Sequence, residues 1–383
     1  MLHPERAAGL PGSPYTPFFW TKRAERRALE GLPLDARAHV APLVMLRPVG
    51  KAVRDKNPET GEYIPRDPPT YEEHLEAQAE WLRRILEPPN NLFGDFPCVY
   101  VDVRALQRQH PARGVLRDLM MALGPYAARF VPVVAPGDSA AHFASAAMWH
   151  SRHRRGVALR IMRRRGARWP DRAVLEDAAR RCGCSPRSVD LVVDARHVEA
   201  HELDGLVDVL PDILSEYCWK PWRSVTLAAG GFPRSISALS YSKSRLVRWD
   251  LVLWKRVAYA LRETHSRIPR YGDYGMMNPD LVSGGAPPEV PPNIRYTDER
   301  YWDIYRRRRV DEMRELCRAL VADHPLLRLL PTHGDAWIAD RAEGKTRRTR
   351  AGASEVHGKP ETWTYAGLSH HVWFAAMQMR GAT

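Results

Sequence analysis

The chain has 383 residues, 44% of them apolar, which is enough for one large domain with insertions or for two ordinary ones. No run approaches the roughly 20 apolar residues that span a bilayer, and the opening MLHPERAAGLPG lacks the apolar core of a secretory signal, so no membrane partner and a cytoplasmic address are expected. Net charge is +13 and only eight of the 58 basic residues are lysine, which points to an anionic partner or to a solvated basic face.

Short apolar segments alternate with segments of helical period along most of the chain. YTPFFWTK at 15–22 is the first predicted strand, followed by the helical TKRAERRALEGL at 21–32 and a second strand, VAPLVMLR, at 40–47. The polar stretch 51–69, rich in Pro, Lys and Asp, reads as an insertion loop over the strand ends. A strong helix is expected over 70–86, where Thr70 and Glu73 have capping-box spacing. Further strands are PCVYVDVR at 97–104, FVPVVAPGD at 130–138, GVALRIMR at 156–163, VDLVVDAR at 189–196 and SVTLAAGGFP at 224–233, with helical segments between them.

Seven such units imply an eighth. RYGDYGMM at 270–277 and NIRYTDERYWDIYR at 293–306 compete for it; RYGDYG is assigned to the barrel and NIRYT to an added strand beside its end. The segment before RYGDYG, from Ser244, reads as one helix; 283–293 reads as a Pro-rich loop, and 311–330 as the final helix. The expected fold is therefore α/β, a (β/α)8 TIM-like barrel over 15–282 with loop insertions. An added strand, a helix and a C-terminal cap over 283–383 pack on it.

In such a barrel, ligand groups gather at the carboxyl ends of the strands. Those ends carry Lys22, Arg47, Asp102, Arg104, Asp138, Arg160, Asp194 and Arg196. Asp102 and Asp194 each precede an arginine by two residues, and residues two apart on a strand face one side, so each Asp-x-Arg pair is expected to project into the mouth. An acid held ionised by an arginine suits a general base or metal ligand and leaves the arginine for an anion; the alternative is an ion pair that plugs the barrel end. Arg160 is a charge within an apolar strand and needs an acid or a ligand. Lys22 offers a point charge to a phosphate, or is a surface lysine. Gly231 and Phe232 follow the seventh strand in a turn that could cradle phosphate or simply be tight. Asp273, in YGDYG, is a further candidate acid, or caps an Asx turn.

His370 and His371 are adjacent, so their side chains diverge and sharing one ion would need help from a residue such as His333 or Asp335; structural histidines are the simpler reading. The five cysteines, Cys98, Cys182, Cys184, Cys218 and Cys317, have no disulfide-framework or zinc-site spacing. No P-loop, dinucleotide fingerprint, HExxH or nucleophile elbow occurs, and the residues name neither a cofactor nor a metal. Arginine clusters lie at 152–155, 163–168, 306–309 and 345–350. Trp219 and Trp222 flank Lys220, and Tyr301, Trp302 and Tyr305 precede Arg306; aromatic residues interleaved with cations suit single-strand binding, and at helical spacing they equally suit one buried helix face.

The order YTPFFWTKRAERRAL, APLVMLRPV, VYVDV, VALRI, VDLVVDA, RSVTLAAGGFP, YGDYG and NIRYT, with the C-terminal set Trp363, Gly367, His370 and His371, resembles the phage-associated "beta protein" family. The resemblance runs from Tyr15 to about Phe374, and Gly231-Phe232-Pro233 and Ile294-Arg295-Tyr296 are among its most specific pieces. Members similar to this chain usually carry a glutamate in the second strand, where Met45 stands here. The resemblance implies a setting of phages, prophages and antiphage islands, with no established reaction.

Three functions are compatible with these residues. The first is a non-catalytic recognition component that binds an anionic ligand, a nucleotide or nucleic acid, through Lys22, Arg47, Arg104, Arg160, Arg196, Gly231, Phe232, Arg295 and Tyr296, with a possible protein partner from a defence or phage operon. Its binding would fall steeply with salt. The second is a metal-dependent phosphodiester hydrolase built on Asp102, Asp194 and Asp273. The third is a structural or assembly protein of a phage-like particle.

Overall fold

The computed structural model describes residues 15–50, 53–56, 63–87, 96–218, 222–262, 268–280, 291–329, 331–348, 354–355 and 357–380. β1 (Tyr15–Trp20) runs through Thr21 and Lys22 into α1 (Arg23–Glu30) and α2 (Leu34–Arg37), and then β2 (Leu43–Met45). A hairpin of β3 (Val53–Lys56) and β4 (Tyr63–Arg66) precedes α3 (Tyr71–Leu86). Next come β5 (Val99–Asp102), α4 (Arg104–Gln109), α5 (Val115–Leu123), β6 (Phe130–Val134) and α6 (Ala140–His153). They are followed by β7 (Val157–Met162), α7 (Arg172–Arg181), β8 (Val189–His197), α8 (Leu203–Cys218) and β9 (Ser224–Gly230). β10 (Lys243–Val247), α9 (Trp249–Arg262) and β11 (Arg270–Asp273) complete the barrel region. The remainder is β12 (Asn293–Thr297), β13 (Tyr301–Arg306), α10 (Met313–Asp323), α11 (His333–Glu343), the short β14 (Arg347–Arg348) and β15 (Ser354–Glu355), and α12 (Pro360–Arg380).

Eight parallel strands close in the order β1-β11-β9-β8-β7-β6-β5-β2, a (β/α)8 barrel in which each predicted strand contributes one stave. RYGDYG does close the ring: Tyr15 to Pro17 pair with Tyr271 to Asp273, and β11 pairs on its other side with β9. Alternation decides what each strand residue meets. Phe18, Leu43, Tyr100, Val133, Val192 and Tyr274 fill the barrel interior, while their neighbours Phe19, Val44, Val101, Val134, Val193 and Tyr271 join the larger core under the helices. α3 has both arms of the expected capping box, the Glu73 amide donating to Thr70 Oγ1 and the Thr70 amide to the Glu73 carboxylate, a device worth about 1 kcal/mol.

Four segments differ from the sequence expectation. Within the predicted insertion loop the described residues form the β3–β4 hairpin. The start of the predicted helix before RYGDYG is instead β10, which pairs with β13. Tyr301, Trp302 and Tyr305 lie on β13 rather than on a helix. Trp302 and Ile304 face the barrel core, Tyr305 joins Tyr296 in a second core, and hydrogen bonding to β10 and β12 on both sides overrides the helical spacing. Lastly, α10 is not the final helix; α11 and α12 follow it, and α12 packs against β12, α1 and α11. Among the described residues no helix is long and apolar enough to cross a membrane.

Candidate anion-binding site

At the barrel mouth, charges that satisfy one another line a small cavity of about 210 Å3. From the end of β7, Arg160 donates to Asp102 Oδ2 at 2.7 Å and to Asp194 Oδ2 at 2.6 Å, and to the Tyr274 hydroxyl at 2.6 Å. Tyr274 in turn donates to Asp194 at 2.6 Å. Arg104 makes a two-pronged pair with Asp102, at 2.9 and 2.5 Å. All of these groups are buried. Burial works against the Asp102 carboxylate, yet the Arg104 and Arg160 guanidinia hold it well below the usual carboxylate range. Met45 points its sulfur at Arg160 Nη1, 3.4 Å away.

The two Asp-x-Arg pairs do not behave alike, contrary to the strand argument. β5 ends at Asp102 and α4 starts at Arg104, so that pair is made across a turn. β8 changes register after Asp194, and Arg196 has a left-handed backbone with φ of 62°. Its amide donates to Asp194, but its guanidinium, instead of pairing with that acid, donates from Nη1 to the Tyr274 hydroxyl at 3.2 Å and from Nη2 to Asp280 at 2.8 Å and the Pro279 carbonyl at 2.9 Å. Asp273 departs altogether from the proposed triad of acids. It lies on the outward parity of β11 with Tyr271, under α12, where it accepts from Tyr15 at 2.8 Å and Tyr271 at 2.9 Å and lies 3.1 Å from His371 Nε2. Asp250 and Arg248 complete this fully buried cluster. Burial opposes both carboxylates; His371 and Arg248 still hold Asp273 low, while Asp250, facing that charge, is pushed up. Among the described residues no three His, Cys, Asp or Glu side chains come together as a metal site.

A second constellation is open. Lys22, Arg47, Phe232 and Arg295, four of the residues singled out in the sequence, line one cavity of about 660 Å3. The backbone fixes each of them. The Thr21 amide donates to the Met45 carbonyl at 3.1 Å, joining the ends of β1 and β2, and Trp81 Nε1 donates to the Lys22 carbonyl at 2.8 Å. The Arg47 amide bonds Thr21 Oγ1 at 3.1 Å and its carbonyl lies 2.8 Å from His74 Nε2. Arg295 is delivered by β12, donates to the Met276 carbonyl at 2.7 Å and lies 4.7 Å over the Phe232 ring.

Among the described residues none of these three cations makes a hydrogen bond or ion pair with a carboxylate, and Glu25 acts on Lys22 and Arg47 only through space. Lys22 Nζ has only the Met277 sulfur at 3.9 Å, and Arg47 Nε is buried without a hydrogen-bond partner. Burial lowers all three: Arg295 to about 10, and Lys22 further through the nearby Arg47 and Arg295 charges, against the opposing pull of Glu25. The other arginines of the cavity are engaged, Arg23 with Glu361 at 3.3 Å and Arg234 with Asp280 at 3.7 Å. Lys22 is thus a cavity residue rather than a surface lysine.

Glu25 is the cavity residue that the sequence did not disclose. It is 1% exposed, and neither carboxylate oxygen has a hydrogen-bond partner in another residue. Burial pushes its carboxyl up to about 7, against the pull of Lys22 and Arg47. It sits three residues after Lys22, the helix N-cap, where a glutamate commonly reaches back to the N-cap amide. Here that amide already bonds the Trp20 carbonyl.

The remaining expectations fall elsewhere. A β-carbon at Gly231 would lie 2.8 to 3.0 Å from Asp250 and the Trp249 amide, so this glycine admits the first turn of α9 and does not line the cavity. Tyr296 is buried in the second core, donating to Asp335 at 2.9 Å and stacked on His370. The histidines diverge as adjacency requires: His371 lies against Asp273, and His370 against Asp335 at 3.0 Å. Much of the clustered arginine charge is paired internally, Arg163 with Glu202 and Arg309 with Asp311. Trp219, Lys220 and Arg350 lie outside the described residues.

A family model described as Beta protein matches residues 15–376, nearly the whole chain. The chain belongs to the Beta protein family. Of the pieces that carry the resemblance, Phe232 and Arg295 line the cavity, Gly367 packs on the Arg295 backbone, and Tyr274 belongs to the mouth network. A comparison with curated proteins finds no match. Among solved structures, this Beta protein family chain is similar to a family 123 glycoside hydrolase from Clostridium perfringens, studied for glycolipid glycan hydrolysis. The identity is 9%, over 98% of this chain and 71% of that one, with a TM-score of 0.29. A likeness that loose says nothing about chemistry.

Proposed function

We propose that the protein binds a small phosphate-bearing ligand of nucleotide size in the cavity formed by Lys22, Arg47 and Arg295. One observation carries this reading: three partly buried cations converge on one open space and no carboxylate is paired with any of them. Three desolvated cations with only Glu25 nearby, and no hydrogen bond to it, are costly, and a bound anion repays that cost through charge-assisted hydrogen bonds. The volume, about 660 Å3, is that of small-molecule sites. The mouth network of Asp102, Arg104, Arg160 and Asp194 is the plug that supports this site from the barrel side. In the phage or antiphage setting implied by the family resemblance, the protein acts as a recognition component whose liganded state a partner protein reads.

Isothermal titration with inorganic phosphate at low salt tests this. The wild-type chain should bind and lose affinity as salt rises, and Arg295→Met and Lys22→Met should each weaken binding about tenfold, the worth of one charge-assisted hydrogen bond. Unchanged phosphate affinity in both variants would remove the site.

A further inference from the structure

The anion pocket contains an acid that an anion alone leaves unsatisfied. Glu25 projects from the first turn of α1 into the cavity, is 1% exposed, and neither of its oxygens meets a donor from another residue. A buried carboxyl whose donor is its own backbone amide alone costs on the order of 1–3 kcal/mol, and when ionised beside a bound anion it is additionally repelled. Its neighbours on the cavity wall that could neutralise it, Lys22 and Arg47, lie too far to hydrogen-bond it and face the same open space.

Resting on the phosphate-site reading above, we propose that the ligand is a hydroxyl-bearing phosphate monoester, a sugar phosphate or nucleoside monophosphate. Its phosphate is held by Lys22, Arg47 and Arg295, and one of its hydroxyls donates to Glu25. The two requirements are of opposite sign and sit in one cavity, so an inorganic anion satisfies the cations and leaves the acid stranded. A neutral sugar does the reverse. Only a molecule carrying both groups satisfies both sides at once. Phe232, under the Arg295 guanidinium at 4.7 Å, supplies an apolar wall for the carbon skeleton. α1 begins at Arg23, and Arg23, Ala24 and Glu25 of its first turn line the same cavity, so the positive end of its dipole lies beside the phosphate and favours it.

The experiment is a calorimetric comparison of inorganic phosphate with ribose 5-phosphate on the full chain, in wild type, Glu25→Leu, Glu25→Gln and Arg295→Met. Wild type should bind ribose 5-phosphate about tenfold tighter than phosphate, the value of a hydrogen bond to a charged group. Glu25→Leu should erase that difference while phosphate affinity stays the same or rises, since a negative charge has been removed. Glu25→Gln, which keeps the shape and an acceptor oxygen, should retain part of it and guards against misfolding of the leucine variant. Equal affinities for the two probes in wild type, or an equal loss of both on Glu25→Leu, would overturn the role of Glu25 and leave the phosphate site standing. Failure of both probes to bind, with no effect of Arg295→Met, would remove the phosphate site itself.

Discussion

Gly367 of α12 lies against the backbone of Arg295 so closely that a β-carbon there would come 2.0 Å from the Arg295 carbonyl oxygen. The helix and β12 can meet at this distance only because residue 367 has no side chain. The C-terminal motif thereby sets where the Arg295 guanidinium enters the cavity, and Pro360, Glu361 and Thr364 of the same helix form part of the cavity wall.

Gly367→Ala should therefore push α12 from β12, displacing Arg295. Both thermal stability and phosphate affinity are expected to fall, the latter about as far as in Arg295→Met. A variant that loses stability while keeping wild-type phosphate affinity would separate the glycine from the site.

The mouth network makes a different prediction. Removing one partner of a buried ion pair leaves the other charge stranded, which typically costs about 3–5 kcal/mol. Asp194→Ala exposes Arg160 to that penalty, partly offset by Asp102, so denaturant unfolding should show a loss on the order of 3 kcal/mol. Arg160→Met, which removes the central cation and strands Asp194 while Asp102 keeps Arg104, should cost about as much. Both should be indifferent to divalent metal. A metal-dependent hydrolytic activity lost in Asp194→Asn would instead restore the alternative of a catalytic mouth.

Glu25 should give stability a distinctive pH dependence. Its ordinary value is 4.5 and in the folded protein it is about 7. Between these values the folded state keeps a proton that the unfolded chain has lost, so stability is greatest below 4.5 and declines as pH rises towards 7. The difference in unfolding free energy between Glu25→Gln and wild type should therefore grow in the variant's favour by on the order of 2–3 kcal/mol across that window and stay level above it. A difference independent of pH would show that the carboxyl ionises normally.

The cluster beneath α12 provides a control. Asp273→Asn weakens the contacts with Tyr15, Tyr271 and His371, all on the outer side of the barrel wall. Thermal denaturation should reveal destabilisation, and phosphate titration should show affinity within about twofold of wild type, since Asp273 itself does not line the cavity and α12 stays seated on β12 through Gly367.

The barrel was legible because parallel staves buried on both faces leave short apolar runs ending in charges, and RYGDYG has that form despite its two glycines. The mouth network was half legible. Asp102, Arg160 and Asp194 do converge, but the bulge that carries Arg196 away leaves no periodic trace, and Asp273 was misplaced because one step along a strand exchanges the inner face for the outer. Lys22 and Arg47 were visible as charges at strand ends and Arg295 only through the resembling Ile294-Arg295-Tyr296, and that β12 would bring it to the same cavity is long-range information. Glu25 is one acid in an arginine-rich helix start, and only burial distinguishes it from a solvated residue. The aromatic run at 301–305 fitted a helix by spacing alone; its strand is imposed by partners on both sides.

The most direct test is the location of a bound anion by anomalous diffraction from a crystal soaked in selenate, a tetrahedral oxyanion that scatters anomalously and mimics phosphate. The strongest non-sulfur anomalous peak should lie among Lys22 Nζ and the Arg47 and Arg295 guanidinia, and should vanish in Arg295→Met crystals. Selenate bound instead along the exposed arginines at 163–168, with the cavity beside Lys22 empty, would contradict the proposed site.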